Sequence, residues 1–574
     1  MSKSANSTSL YAIESTYENG KHSSRIVEKL GTVADLEKKL NGQDPIEWAR
    51  AYIAELNRQE EEGTRVVTIE YNSAERIEKG EQQTFNGGYL FLQRIYHDLK
   101  LNLICAQIAD KYKFAFDLDA VFSRLLYARI IYPASKRATY ELSARFLERP
   151  KFELQHVYRA LEVIAKELDF IQAEVFKNCA TVQERRTGVL YYDCTNFFFE
   201  IEQEDGLKRY GYSKEHRPNP IVQLGLFMDG DGMPLAFCIE NGNTNEQVTM
   251  TPLEKKIIED FGLSRFIVCT DAGLASTVNR KFNDKGGRAF ITTQSVKKLK
   301  KRIKDWALSP DGWRLPGSGE VYDITKLDES KEMEEEKKTG KGNTYYKEQW
   351  INEDGLEQKL IVTFSTKYRN YQRRIREAQV DRAKKLLQTH PDKVNKKGQN
   401  DYRRFVARKG VTKEGEVADT DVFYINEALI EQEGGYDGFY AVCTNLEDGP
   451  DAIIDVNHRR WEIEECFRIM KSEFKSRPVY LCRDDRIKAH FTTCFLSLLL
   501  YRLLEKRLDN KFTSCKIIKG LRDFNFLKAE KEGYLPSYTR DDFTDALHDK
   551  FGFNTDTRIV TNSQMKKIFR LTAS

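Results

Sequence analysis

The amino-acid sequence predicts a multidomain protein of mixed α+β and α/β class, whose central β-sheet is divided between two stretches of the chain. A chain of 574 residues is too long for one hydrophobic core. Its apolar periodicity changes from helical over residues 86–182 to strand-like over residues 183–296. A basic stretch over residues 297–438 then interrupts the strand-like pattern, which resumes after it. We therefore expect a helical unit, followed by a sheet domain that carries a large insertion.

These shifts in pattern divide the chain into six predicted units. They are a small α+β unit over 1–85, a helical unit over 86–182, the first part of the sheet domain over 183–296, a basic β-rich insertion over 297–438, the second part of the sheet domain over 439–510 and a C-terminal region over 511–574.

Composition excludes some classes of protein. The net charge of +4 is too small to indicate nucleic-acid binding by itself, so local clusters must carry that prediction. Ten cysteines without a CxxC pair predict reduced thiols in a cytosolic protein, with no zinc or disulfide framework. The start has no apolar signal region. The longest apolar run, Phe491–Leu504, is too short to span a bilayer, so we expect a core helix and no membrane partner.

The first unit reads as a hairpin followed by a helix and a strand. Alternating runs at Tyr11–Glu14 and Arg25–Glu28 flank Asn19-Gly20, which is the strongest short-range hairpin signal. A helix is predicted around Pro45–Arg58 and a strand at Val66–Tyr71.

The helical unit contains a basic segment. Pro133–Arg137 is typical of a turn and N-cap that open a helix, and we expect Lys136 and Arg137 to be exposed on it. A compact helical unit with a basic helix is compatible with helix-turn-helix-like DNA binding. A helical scaffold with solvated cations is the alternative, and both interpretations stay open.

The sheet domain begins with an apolar strand that ends in an acid. The predicted strands are, in order, Gly188–Asp193, Ile221–Met228, Leu235–Ile239 and Phe266–Asp271, with a helix over Thr251–Phe261 before the last. Three antiparallel strands followed by alternating helix and strand is the order of a ribonuclease-H-like sheet. Because the Asp193 and Asp271 strands are neighbours in such a sheet, we expect the two carboxylates to lie close together.

The insertion is predicted to bind DNA through its charge. Tyr368–Leu387 is a basic helical stretch on which Arg373 and Arg382 are expected to contact phosphates without reading sequence. A second basic run follows at Lys396–Lys409, and the strand Phe439–Cys443 resumes the sheet.

A helix from Asn457 to Lys471 would carry two stripes. Its apolar stripe, typical of a face packed on a core, is Ile463, Phe467, Met470 and Phe474. Its polar stripe is Arg460, Glu464, Arg468 and Lys471. One carboxylate among three cations is suited to binding metal and polyanion together. The alternative is a surface helix with i,i+4 ion pairs.

Asp193, Asp271 and Glu464 would converge in this topology. Three neighbouring carboxylates resist full ionisation unless divalent cations neutralise them. Two such ions can stabilise both the attacking and the leaving oxygen of a phosphodiester. Oxygen-only ligands favour two Mg²⁺ or Mn²⁺ ions over zinc.

The sequence resembles a DDE transposase of the insertion-sequence-four superfamily, in the branch with a β-rich insertion before the Glu. Arg460, three residues, Glu464, six residues and Lys471 reproduce three of four positions of a Tyr, Arg, Glu, Lys signature. The other matching residues are Tyr192-Asp193-Cys194-Thr195, Gly242-Asn243 with Glu246, Cys269-Thr270-Asp271-Ala272-Gly273 and Arg477-Pro478-Val479. The resemblance covers about residues 185–490.

This resemblance implies hydrolysis at the transposon ends and transfer of the 3′-hydroxyl into target DNA, on a ribonuclease-H-like core. It implies Asp193, Asp271 and Glu464 as metal ligands, with Arg460 and Lys471 holding DNA phosphates; Arg468 is a further candidate. The implied partners are double-stranded DNA, both ends and target, and a second copy of the chain in the DNA complex. The implied location is the bacterial cytoplasm, at the nucleoid when bound to DNA.

The sequence departs from the signature at Asn457, where relatives have the Tyr that holds phosphate near a hairpin end. Two other classes remain open: a domesticated, non-catalytic DNA-binding derivative, and a ribonuclease-H-like nuclease without strand transfer. The presence of all three acids argues against the first, and the basic insertion favours binding of two DNA segments over the second.

Overall fold

The computed structural model of the chain describes residues 1–3, 7–18, 21–40, 42–62, 68–69, 73–74, 76–340, 342–389, 401–410, 421–529 and 532–574. Two compact units are present, one of residues 1–81 with 529–533, the other of residues 82–528 with 534–574. The predicted turn at Asn19-Gly20, most of the strand at Val66–Tyr71 and the start of the second basic run, 396–400, lie outside the described residues.

The first unit is a three-stranded antiparallel sheet with two helices. Its elements are β1 (Ser2–Lys3), β2 (Thr8–Glu18), β3 (Lys21–Thr32), α1 (Val33–Lys39) and α2 (Pro45–Glu62). The predicted pairing of β2 with β3 is confirmed, with Tyr17 opposite His22. Thr32 ends the hairpin and caps α1, because its hydroxyl accepts the Asp35 N–H at 3.2 Å.

The second unit begins with one short strand and six helices. They are β4 (Thr84–Asn86), α3 (Tyr89–Asp98), α4 (Leu101–Tyr112), α5 (Leu118–Ile131), α6 (Lys136–Ser143), α7 (Leu154–Lys166) and α8 (Leu168–Val182). The predicted cap at the start of α6 is confirmed, because the Ser135 side chain accepts the Ala138 N–H, and Asp117 caps α5 in the same way by accepting the Ala120 N–H. The helical character of residues 86–182 is therefore confirmed.

A mixed sheet of eight strands forms the centre of this unit. Its first elements are β5 (Val189–Phe198), β6 (Ile221–Asp229), β7 (Pro234–Asn241), α9 (Met250–Asp260), β8 (Ile267–Thr270), α10 (Thr277–Phe282) and β9 (Ala289–Gln294). The strands β5, β6 and β7 are antiparallel, whereas β5, β8 and β9 are parallel. The mixed α/β class with a large sheet is confirmed.

The chain between β9 and the last strand of the sheet contributes α11 (Lys301–Leu308), α12 (Glu329–Thr339), β10 (Tyr345–Glu353), β11 (Leu356–Phe364), α13 (Thr366–Thr389), β12 (Val406–Gly410), β13 (Asp421–Ile425), α14 (Glu427–Gly434) and β14 (Phe439–Thr444). The sheet order is β10-β11-β14-β9-β8-β5-β6-β7. The β10–β11 hairpin, in the predicted insertion, thus extends the central sheet, because β14 pairs with both β11 and β9.

The rest of the chain comprises α15 (Pro450–His458), α16 (Trp461–Arg468), a π-helix (Ile469–Glu473), α17 (Asp484–Arg507), α18 (Ser514–Asp523), β15 (Asn525–Ala529), β16 (Gly533–Pro536), α19 (Asp542–Phe551), β17 (Val560–Thr561) and α20 (Asn562–Thr572). Short 3₁₀ turns lie at Glu246–Val248, Val296–Lys298 and Tyr402–Phe405. The strand β15 pairs with β4, so the end of the chain returns to the helical unit.

The helix α17 is the centre of the core. Among the described residues it is the one helix that is long and apolar enough to cross a membrane, yet 89% of its most apolar window is buried inside the protein. It packs against α5, α7 and β7. We conclude that its apolar surface is used in holding the helical unit on the sheet.

Candidate active site

Asp193 and Asp271 lie on neighbouring parallel strands. Tyr191 of β5 is opposite Cys269 of β8, and each aspartate is two residues further along its strand direction. Because side chains alternate along a strand, both carboxylates are on the same face of the sheet. Asp193 itself lies within β5, opposite Leu226, so the prediction that this strand ends at Asp193 is wrong. The strand continues because β6 pairs with it as far as Phe198.

The Asp271 carboxylate is oriented by the turn that follows β8. It accepts the backbone N–H groups of Gly273, at 2.9 Å, and Leu274, at 3.1 Å. A β-carbon on Gly273 would lie 3.2 Å from the Asp271 Oδ1 atom, closer than ordinary packing distance. The Asp-Ala-Gly sequence therefore fixes this acid in one direction.

Asp193 is held in an environment that resists ionisation. Burial raises the pKa of its carboxyl to about 6, with a further contribution from the charge of Asp271. The charges of Lys214 and Arg460, and the N–H of Cys194 at 2.7 Å, oppose that rise. A further positive charge beside the two aspartates would therefore be stabilising.

Lys214 is a site residue that the sequence patterns did not reveal. It lies in the loop between β5 and β6, and its ammonium donates to the Cys194 carbonyl and lies 3.1 Å from Glu246. Burial alone would lower its pKa, but Asp193 and Glu246 outweigh burial, so the pKa is raised. The available signal was one lysine in the polar loop that follows the Asp193 strand.

The helix that carries Glu464 is not continuous, contrary to prediction. Its first part, α15, ends at His458, and 3₁₀-type bonds from the N–H of Glu462 to Arg459 O and from that of Ile463 to Arg460 O make a tight turn. The last part is a π-helix, closed by a bond from the Phe474 N–H to Ile469 O at 3.0 Å. The predicted apolar stripe is confirmed, since Ile463, Phe467, Met470 and Phe474 are all buried.

The breaks in the helix place two of its cations beside Asp193. The Arg460 Nε atom is buried and has no hydrogen-bond partner. The Lys471 ammonium lies 3.7 Å from Glu215 and 5.5 Å from the centre of the Phe197 ring. Burial and the charge of Lys214 lower the pKa of Lys471 to about 8, against the attraction of Asp193. Arg460, Lys471 and Lys214 thus form a cation cluster around this carboxylate.

The other two members of the predicted polar stripe are placed differently. Glu464 is exposed on α16, and its carboxylate has no hydrogen bond or ion pair within the described part of the chain. Arg468 forms ion pairs with Glu465 at 2.5 Å and Glu473 at 3.7 Å, and donates to Ser514. The π-helix that begins at Ile469 interrupts the regular helical spacing that would have aligned Lys471 with these two side chains.

The two aspartates suit a divalent cation, although they do not form a complete protein cage. No group of three or more His, Cys, Asp or Glu side chains in the described ranges is close enough to hold a metal ion. Mg²⁺ is commonly bound by one or two carboxylates, with water and substrate phosphate completing its octahedron. Asp193 and Asp271 meet that requirement.

The remaining predicted DNA-binding residues lie outside this site. Arg373 and Arg382 are exposed on α13, and their contact with DNA phosphates stays a prediction. Arg137 is also exposed and lies 3.2 Å from Glu141. Lys136, by contrast, is only 4% exposed, so the prediction of a solvated lysine is wrong. Its position in the first turn of α6 turns it inward, where it lines a cavity with Arg129 and His490.

Comparison with known proteins gives one clear match. The model of a protein family described as a transposase DDE domain matches residues 196–500. No curated protein matches the chain. Among solved structures, the cryo-EM synaptic complex of the piggyBac transposase with hairpin DNA is similar at 8% identity, over 86% of this chain and 88% of that one, with a TM-score of 0.37.

Proposed function

Since the chain belongs to the transposase DDE-domain family, we propose that it is a DNA transposase that binds and cleaves the ends of its element and joins the freed 3′-hydroxyl to target DNA. The observation that carries this proposal is the pair Asp193 and Asp271 on one sheet face, with Lys214, Arg460 and Lys471 beside Asp193. Phosphodiester chemistry requires carboxylates that bind metal ions and, next to them, positively charged side chains that bind phosphates.

The finer assignment is to the insertion-sequence-four superfamily, with a ribonuclease-H-like core. Its support is the spacing of Arg460, Glu464 and Lys471 in the sequence. The strand order β7-β6-β5-β8-β9, with three antiparallel strands followed by parallel ones, agrees with that core. We further propose that Glu464, which forms no three-acid group with Asp193 and Asp271 in the described residues, completes the metal site with them when the ions and DNA are bound. The site would hold two Mg²⁺ or Mn²⁺ ions, which would stabilise the attacking and leaving oxygens of the scissile phosphodiester.

The chain's own cations would hold the DNA strand. The unpartnered Nε of Arg460 is a donor for a phosphate oxygen, and the planar guanidinium suits that contact. Lys471, with a pKa of about 8, carries its proton at neutral pH and supplies a point charge. Lys214 neutralises part of the Asp193 charge, and its hydrogen bond to the neighbouring Cys194 carbonyl holds its ammonium beside this part of β5.

The proposal includes a homodimer in the DNA complex and a cytoplasmic location, at the nucleoid when bound to DNA. Two element ends joined to one target need two active sites, which two copies of the chain would supply.

The test is a gel assay of labelled element ends with Mg²⁺ or Mn²⁺. Asp193→Asn, Asp271→Asn and Glu464→Gln should each abolish cleavage and joining while DNA binding persists, because one set of ions would serve both steps. Glu465→Gln, which removes an acid paired with Arg468, is the matched control and should remain active. Full activity of Glu464→Gln would overturn the three-acid site. Cleavage without joining would favour the nuclease, and binding without either step the non-catalytic derivative.

A binding measurement separates the metal site from the reaction. Mg²⁺ should raise the melting temperature of the wild-type protein but not that of Asp193→Asn, because a ligand specific to the folded state stabilises it. Equal effects on both proteins would contradict the assignment of Asp193.

A further inference from the structure

A cationic cavity of about 270 Å³ lies beside the candidate active site, bounded by α5, α6 and the segment that follows the π-helix. Five cations line it: Arg129, Lys136, Arg137, Lys475 and Arg477. No acidic side chain is among its lining residues. The charged side chains that line the cavity are therefore all positive, and the cavity has room for a small anionic group.

Two of these cations are buried without a counter-ion. Arg129 and Lys136 are each 4% exposed. The Lys136 ammonium and the Arg129 Nε atom have no hydrogen-bond partner, and neither residue pairs with an acid in the part of the chain that the structure describes. The other Arg129 nitrogens donate to Phe474 O at 3.1 Å and Ala134 O at 3.2 Å. Because an unpaired buried charge costs several kcal/mol, an anion in the cavity would be strongly favoured.

The titration behaviour of the cavity agrees with this geometry. Burial, and then the charge of Arg129, lower the pKa of Lys136 to about 7. Burial and the same two cations hold the pKa of His490 well below its usual value, so this imidazole is neutral. A phosphate would reverse the effect on Lys136, since an opposite charge favours the protonated amine.

The backbone adds donors at the same place. Ser135 caps α6 by accepting the Ala138 N–H at 3.2 Å, which leaves the N–H groups of Lys136 and Arg137 without partners inside the helix. Both residues line the cavity. Free N–H groups at a helix N-terminus favour phosphate oxygens.

We propose that this cavity binds a phosphate group of the DNA backbone, with Lys136 and Arg129 as its buried anchors. The assignment to DNA rests on the proposed function and deepens it. Arg477 links the two sites, because it lines the cavity and contacts Glu215, which lies 3.7 Å from Lys471. A DNA strand held at the aspartates would thus reach this cavity along Lys471 and Arg477, whose charge Glu215 partly neutralises.

Thermal unfolding with inorganic phosphate tests the cavity without DNA. Phosphate should raise the melting temperature of the wild-type protein more than chloride does at equal ionic strength. Lys136→Met should lose that increment, yet melt no lower than wild type without phosphate, because it removes an unpaired buried charge.

Lys347→Met is the matched control. Lys347 is 5% exposed, but its ammonium donates to Trp306 O, Ser309 O and Ser309 Oγ at 2.7–3.1 Å. This substitution should lower the melting temperature and keep the phosphate increment. The proposal fails if Lys136→Met keeps the increment, or if it destabilises the protein as Lys347→Met does.

A DNA-binding titration then identifies the source of the phosphate. Lys136→Met should weaken binding to duplex DNA of any sequence about tenfold and reduce the slope of log K against log[salt] by about one. If Lys136→Met loses the rise in melting temperature caused by inorganic phosphate but keeps its DNA affinity, the cavity binds a free anion. That result would overturn the assignment to DNA. If element ends are not cleaved but both effects of Lys136→Met appear, the proposed reaction fails while the phosphate site stands.

Discussion

The side-chain amide of Asn457 donates a hydrogen bond of 2.8 Å to the hydroxyl of Tyr440 on β14. That hydroxyl also lies 2.8 Å from the Thr293 hydroxyl on β9. Asn457 is 4% exposed and stands where the transposase signature has a tyrosine. A tyrosine hydroxyl is thus present beside this position, but it is supplied by a neighbouring strand.

We therefore expect Asn457→Tyr to destabilise the protein and not to improve its activity. The larger ring would overlap Tyr440, and overpacking of a buried position costs about 1–3 kcal/mol. The control is Asn457→Tyr combined with Tyr440→Ala, which makes room and should recover part of the lost stability. The measurement is chemical denaturation, and an unchanged unfolding free energy for the single variant would contradict the argument.

The Glu215 carboxylate contacts Lys471 and Arg477, two side chains that we expect to bind DNA phosphates. Glu215→Gln should raise the affinity for duplex DNA about three- to tenfold at low salt, because one competing negative charge is removed. Glu204→Gln makes the same charge change in the same inter-strand segment, at an acid paired with Arg209, and should have little effect. Weaker binding by Glu215→Gln would mean that Glu215 positions these cations for DNA.

The exposed arginines of α13 provide a prediction about salt dependence. Arg373→Ala and Arg382→Ala should each weaken binding to all DNA sequences and reduce the salt slope by about one, the result expected for phosphate contacts. Arg376→Ala is the control on the same helix, since its guanidinium pairs with the buried Asp437. It should lower the melting temperature and leave the salt slope unchanged. A loss of sequence preference in the first two variants would contradict non-specific phosphate contact.

The buried Lys136 predicts a pH dependence of stability. Its folded-state pKa of about 7 lies below the 10.5 of a free lysine side chain, so between these two pH values the unfolded chain binds more protons. The buried Lys136 charge therefore destabilises the folded protein most near pH 6, and the free energy of unfolding rises as the pH increases through that window. His490 stays neutral across this window, because burial and the charges of Arg129 and Lys136 hold its pKa well below the usual value.

In phosphate-free buffer, Lys136→Met should be more stable than wild type at pH 6, and the difference should shrink by pH 9. Urea unfolding at the two pH values measures this difference. If the difference in unfolding free energy between the variant and wild type is the same at both pH values, burial does not lower the pKa of Lys136.

The sequence alone determined the elements and the main acids. Apolar runs and caps predicted the helices of residues 86–182, the strands that bear Asp193 and Asp271, and the buried stripe from Ile463 to Phe474. These are local patterns, because hydrophobic periodicity reports which face of a helix or strand is buried. The spacing of Arg460, Glu464 and Lys471 likewise predicted a DDE transposase, and the family match over residues 196–500 confirms the DDE-domain family, while the insertion-sequence-four assignment stays a prediction.

Only the tertiary structure decided which charges meet. Lys214 reaches Asp193 from a loop, and Lys136 turns inward, because packing partners distant in sequence determine where long side chains point. The π-helix that begins at Ile469 interrupts the regular helical spacing that would align Lys471 with Arg468, and the two cations contact different acids, Glu215 and Glu465. Whether a cation is paired or left without a partner depends on these long-range contacts, which is why the sequence predicted a basic segment at Lys136 and Arg137 but not the buried cavity that Lys136 forms with Arg129.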